Sequence, residues 1–125
     1  MTLKFEEIKH ELAVSIYDRV DCIVFKGSLK NKCQLLFVND MLNVAGRTLI
    51  YIDSSCEIHL SETIITKSTI LRDVLIHEMC HVAARLLDRY TGNNSHGPVW
   101  QKWTKLVNAH FTEIPLISVT HKYAV

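Results

Sequence analysis

His77-Glu78-Met79-Cys80-His81 has the form H-E-x-x-H. Residues four apart share one face of an α-helix, so His77 and His81 can grip one metal ion together. Glu78 stands beside them, placed to take a proton from a water that the metal acidifies. This combination is the working part of a zinc hydrolase, most often one that cuts peptide bonds. Chance alone gives the pattern in roughly one chain of this length in a few hundred. The surrounding sequence must therefore carry the rest of the case.

A catalytic zinc takes three protein ligands and keeps one position open. The compact extension H-E-x-x-H-x-x-G-x-x-H is absent, because Ala84 and Leu87 stand at its Gly and His positions. Downstream carboxylates are few, Asp88 and Glu113 only. His96 is the best third ligand: it sits in a polar loop directly before a helix, where it can fold back onto the metal helix. His10, His59, His110 and His121 read as surface or strand residues, and Cys80 points away from both helix histidines by helical phase. His77 and His81 could instead be core histidines bonded to backbone carbonyls, but Glu78 between them would then be hard to explain. A carboxylate inside an otherwise apolar helix is costly unless a metal or a proton partner justifies it.

In this reading Glu78 takes the proton as water attacks a carbonyl and passes it to the leaving amine. A second oxyanion donor would come from Tyr51, Tyr90, His121 or Tyr123, and Asp88, two turns past His81, is a candidate to orient an imidazole.

Elements must position these groups. Phe5, Ile8, Leu12 and Ile16 recur at helical spacing, which predicts an amphipathic helix from about Leu3 to Val20. A polar loop, 27–32, follows. Three strand-like runs come next, Cys33 to Val38, Arg47 to Asp53 and Cys56 to Leu60. A second helix is expected from about Thr69 to Arg89, with Ser68 or Thr69 as N-cap. It is apolar over most of its circumference and so should be buried. Pro98 opens a third helix that ends near His110, and 116–119 could form a last strand or an extended tail. The sum is one α+β unit, residues 1–125, of three main helices on a small sheet.

Composition sets outer bounds. The chain has 125 residues, 48% hydrophobic and 22% charged, with net charge +1, so a nucleic-acid role would need a local basic patch. No apolar run is long enough to span a membrane, and 1–7 lack the apolar core of a secretory signal. Cys22, Cys33, Cys56 and Cys80 form no C-x-x-C pair and are expected to be reduced thiols of an intracellular protein. A monomer is expected.

The segments Leu71-Arg72-Asp73-Val74-Leu75-Ile76-His77-Glu78-Met79-Cys80-His81 and His96-Gly97-Pro98-Val99-Trp100 resemble the SprT-like metalloprotease domain, the family of Spartan and the germ cell nuclear acidic proteins. The wording of the first segment is nearest the germ-cell branch. Ala45-Gly46 and Ile58-His59-Leu60-Ser61 resemble the family's A-G turn and I-x-L-S strand. The likeness runs from about Ser15 to Val119. It implies a small zincin-like fold, a Zn2+ ion held by His77, His81 and His96, and Glu78 as catalytic acid–base. It also implies a DNA-dependent protease, nuclear in eukaryotes, that degrades proteins crosslinked to DNA. The partners would be single-stranded or junction DNA and the crosslinked proteins, with no membrane role.

Two features of relatives are not found here. Many carry a cysteine-rich zinc ribbon after the protease core, but Thr120 stands where a cysteine is expected and no second zinc site can be drawn. The acidic region of the germ-cell relatives does not fall within these 125 residues, by truncation or by nature. DNA contacts would fall to Lys26, Lys30 and Lys32 in one loop and to Arg85, Arg89, Lys102 and Lys105 later. Trp100 and Trp103 could stack on bases, although at helical spacing at least one is expected in the core.

Overall fold

The computed structural model describes residues 4–115 and 117. Among these, helix α1 spans Phe5–Val24, strands β1, β2 and β3 span Cys33–Val38, Gly46–Ile50 and Cys56–Ser61, and helices α2 and α3 span Ser68–Leu86 and Pro98–His110. The fold is α+β. No helix among the described residues is long and apolar enough to cross a membrane.

The sheet order is β1-β3-β2, with β3 in the centre, parallel to β1 and antiparallel to β2. Alternation along β3 sends Cys56, Ile58 and Leu60 into the core while Glu57 and His59 lie on the opposite face. On that opposite face Arg47 Nε donates to His59 Nδ1 at 2.8 Å, and His59 Nε2 meets Glu57 at 2.8 Å.

Helix α2 lies across the sheet as the central element. It buries residues on nearly every side, Leu71, Val74, Leu75, Ile76, Met79, Val82 and Ala83 all being fully enclosed. Helix α1 packs on α2 and β1, and α3 packs on α2 and α1. Between α1 and β1 the 25–32 loop is tied down by Tyr17, whose hydroxyl donates to the Leu29 carbonyl, and by Asp21, which accepts from the Leu29 N–H. Burial pushes the Tyr17 phenol well above its ordinary pKa.

Several expected boundaries move. Strand β2 ends at Ile50 because the chain turns: Tyr51 N–H bonds Ser55 O at 2.9 Å, and Ser54 adopts a positive φ of 70°. Helix α2 has Lys67 as its N-cap residue, with no side-chain cap from Ser68 or Thr69, and stops three residues early. There Arg89 takes φ 55° and Tyr90 N–H returns to the Ala84 carbonyl. Leu3 and most of 116–119 lie outside the described residues; Ile117 has no regular structure, and its N–H bonds the Asn108 side chain.

The expectation of four reduced thiols is overturned. Cys33 and Cys56 form a disulfide, with Cα atoms 4.6 Å apart. They are register partners at the start of the parallel pair β1 and β3. The sheet thus brings together two cysteines 23 positions apart, within the reach of a disulfide. Cys22 is an exposed thiol, while Cys80 is buried, which holds its thiol in the protonated form.

Candidate metal centre

Helix α2 presents His77 and His81 one turn apart, on the side where it meets the start of α3. His96 arrives from the loop between the two helices. The turn before α3 is tight: Gly97 N–H bonds Asn94 O, and a Cβ on Gly97 would strike the Asn94 side chain. Pro98 then starts α3 at the position where a missing N–H costs nothing. Gln101, one turn in, donates to the His96 carbonyl at 2.9 Å and fixes the loop from above.

The three imidazoles converge through the same atom. The Nε2–Nε2 separations are 3.2 Å for His77–His81, 3.1 Å for His81–His96 and 3.2 Å for His77–His96. A neutral imidazole carries one N–H, so three ring nitrogens in a mutual triangle cannot all satisfy one another by hydrogen bonds. A cation held among them would take all three lone pairs. Tetrahedral ligands about 2.0–2.1 Å from a zinc stand about 3.3 Å apart, so the spacing fits. The three histidines can hold a metal ion. His77 is buried at 3% exposure while His81 and His96 are half-buried, so the cluster is closed on one side and reachable on the other.

Trp100 forms the floor. Its ring lies 4.9 Å from those of His77 and His96 and 5.6 Å from that of His81, nearly parallel to the last. Its Nε1–H donates to the His77 carbonyl at 3.3 Å. At 1% exposure it has no face left for a nucleic-acid base. Trp103 packs on Phe25 and donates its Nε1–H to Asp88.

Glu78 is buried on the side of α2 that faces β2, at 4% exposure. Thr48 Oγ1 donates to its Oε1 at 2.9 Å, and its Oε2 lies 3.9 Å from His77 Nε2. Gly46 gives the carboxylate its room: a Cβ there would sit 2.7 Å from Val74 Cγ1 and 3.2 Å from Glu78 Cγ. Sequence reasoning missed both roles. The signal that could have led to them is the Ala45-Gly46 pair, seen in the sequence only as resembling the family's A-G turn.

Other expected residues lie elsewhere. Asp88 is bonded to Lys102 and Trp103, tying the end of α2 to α3 rather than orienting a metal-side imidazole. Tyr90 accepts from Asn94 N–H through its hydroxyl. Tyr51 sits beyond the end of β2 among Arg85 and Arg89. His121 and Tyr123 fall outside the described residues. Lys26 donates to the Ile23 carbonyl and shares its surface with Asp18 and Asp21, so that loop is not uniformly basic.

The SprT-like family model matches residues 13–121, which includes all three histidines, Glu78, Gly46 and Thr48. The chain belongs to the SprT-like family. It is 32% identical over 124 residues to a germ cell nuclear acidic protein of Drosophila melanogaster, covering 97% of this chain and 12% of that one. A germ cell nuclear acidic-1 protein of Caenorhabditis elegans is 24% identical, over 99% of this chain and 23% of its own length. The germ cell nuclear acidic protein of Homo sapiens is 29% identical, over 94% and 18%. This SprT-like chain therefore spans less than a quarter of the length of these relatives.

Proposed function

We propose that residues 1–125 form a single zinc-dependent peptidase domain that cleaves proteins crosslinked to DNA and depends on DNA for activity. One observation carries the hydrolytic reading: a buried carboxylate, Glu78, stands 3.9 Å from a ring nitrogen of a three-histidine cluster open to solvent on one side. A purely structural site has no use for that carboxylate. Zinc, when bound by His77, His81 and His96, supplies a Lewis acid that brings the pKa of water to about 7 and polarises a carbonyl. Glu78 then accepts a proton at Oε2, with Oε1 held by Thr48, and returns it to the leaving amine.

The sheet supports a peptide as substrate. Ser61 N–H bonds Ala45 O and Tyr51 N–H bonds Ser55 O. By antiparallel alternation, Arg47 and Leu49 then exchange hydrogen bonds with β3, while Gly46, Thr48 and Ile50 turn their backbone groups to the outer edge. An extended chain can add along that edge, beside Glu78. DNA dependence and a nuclear location rest on the resemblance and on relatives named as nuclear proteins. Lys30, Lys32 and Lys105, all exposed, are the cations offered to phosphates, and the domain acts as a monomer.

The test is direct. The purified chain, loaded with zinc, is given a free basic protein with and without added single-stranded DNA, and the same protein crosslinked to an oligonucleotide. Cleavage that rises with DNA supports the reading. Equal cleavage with and without DNA removes the DNA dependence. A chain that holds zinc and cleaves nothing is a binding domain rather than a peptidase. His96→Ala should lose zinc; full retention would remove His96 from the ligand set.

A further inference from the structure

Past His81, the ends of β2 and α2 border a groove of about 590 Å³. One wall is Ile50, Tyr51 and Ile52, where β2 runs out; the other is Arg85, Leu86 and Arg89 at the end of α2. Strand and helix run in step. Gly46 approaches Val74 and Glu78, Thr48 bonds Glu78, and Ile50 shares the groove with Arg85 and Leu86. Arg85 follows His77 and His81 at the same four-residue spacing. It therefore stands about 6 Å further along the metal-binding stripe, roughly two residues of an extended chain.

The groove is charged and half apolar. Both arginines are exposed, and among the described residues neither forms an ion pair. The nearby carboxylates have partners of their own: Asp53 accepts from Ser55 N–H and Oγ, and Glu57 meets His59 and accepts from the Tyr51 hydroxyl. Ile52 is fully exposed, and Tyr51 is 47% exposed. The wall therefore offers two guanidinium groups beside an aromatic ring and aliphatic surface. That combination suits one anionic side chain on an aliphatic stem.

We infer that this groove is a substrate subsite selecting an acidic residue, a carboxylate or a phosphorylated side chain, two or three positions from the cleaved bond. The inference rests on the peptidase reading above and adds a specificity to it.

A degenerate decapeptide pool is digested by the zinc-loaded full chain with and without single-stranded DNA, and the cut sites are read by mass spectrometry. Acidic residues should be enriched about tenfold at one position two or three residues from the cut. The double variant Arg85→Glu, Arg89→Glu should invert that preference toward Lys while still cutting the pool. Synthetic peptides with Glu or phosphoserine at that position tell the two anions apart. Cleavage with no acidic enrichment, or enrichment unchanged in the double variant, overturns the subsite and leaves the peptidase reading intact. If the pool is not cut at all, the peptidase reading fails, and binding decides the groove. Fluorescein-labelled peptides with a single Glu or Lys are then titrated against Glu78→Gln protein, where equal affinities overturn the subsite. A double variant that loses only stimulation by single-stranded DNA assigns the groove to DNA and likewise overturns it.

Discussion

Glu78 can act as a base only if its carboxylate is held while the proton moves. Thr48 does this from a neighbouring strand, and Gly46 leaves the space. Thr48→Val keeps the shape and removes the donor. It should lower kcat about tenfold with zinc content unchanged, as measured by steady-state cleavage alongside metal analysis. A loss of zinc in step with activity would mean that Thr48 supports the fold instead. His77, Glu78 and His81 were legible because their relation is local, one helical turn. His96 followed from the lack of any other third ligand and from its loop before Pro98. Thr48 and Gly46 were not legible, because they meet Glu78 across 30 or more positions through the docking of strand on helix. Asp88 shows where phase reasoning stops. Its two-turn spacing from His81 assumes a helix, and the helix ends at Leu86.

At the scale of elements, β1 and α3 fall on the expected residues, one from its run of apolar and β-forming residues and the other from Pro98 and the apolar face behind it. The end of strand β2 was read three residues too far, since Tyr51 and Ile52 continue an apolar pattern that the backbone abandons at the turn. Asp53 makes that turn, accepting from Ser55 N–H at 3.0 Å and Ser55 Oγ at 2.6 Å. The Ser55 hydroxyl is the chief reason its carboxyl sits below the usual range. A depressed carboxylate contributes stability that is present above its unfolded pKa and lost as pH falls through the folded value. Asp53→Asn should therefore melt below the wild type at pH 7, with the gap closing as pH drops below about 4. Thermal melts across that range check it; a gap that persists at pH 2.5 would show that the carboxylate's charge is not what holds the turn.

At the scale of the molecule, three imidazoles and a carboxylate are placed by different layers: α2 lends two histidines and Glu78, the loop before α3 lends His96, and the sheet lends Thr48. The sheet itself is pinned at one end by Cys33–Cys56. No local spacing announces that bond, since only the parallel register brings the two together. Closing a loop of 23 positions stabilises by about 3 kcal/mol. Reductant should therefore lower Tm by about 10 °C, and Cys33→Ser should melt low and ignore reductant. A wild-type Tm indifferent to reductant would mean that the bond contributes nothing to stability. In the proposed function this cluster cuts protein chains and Glu78 moves the proton. The most direct measurement is the initial rate on a DNA-crosslinked protein for wild type and Glu78→Gln at matched zinc content. The rate should fall by about 10²–10⁴ in the variant; equal rates at equal zinc would contradict the account.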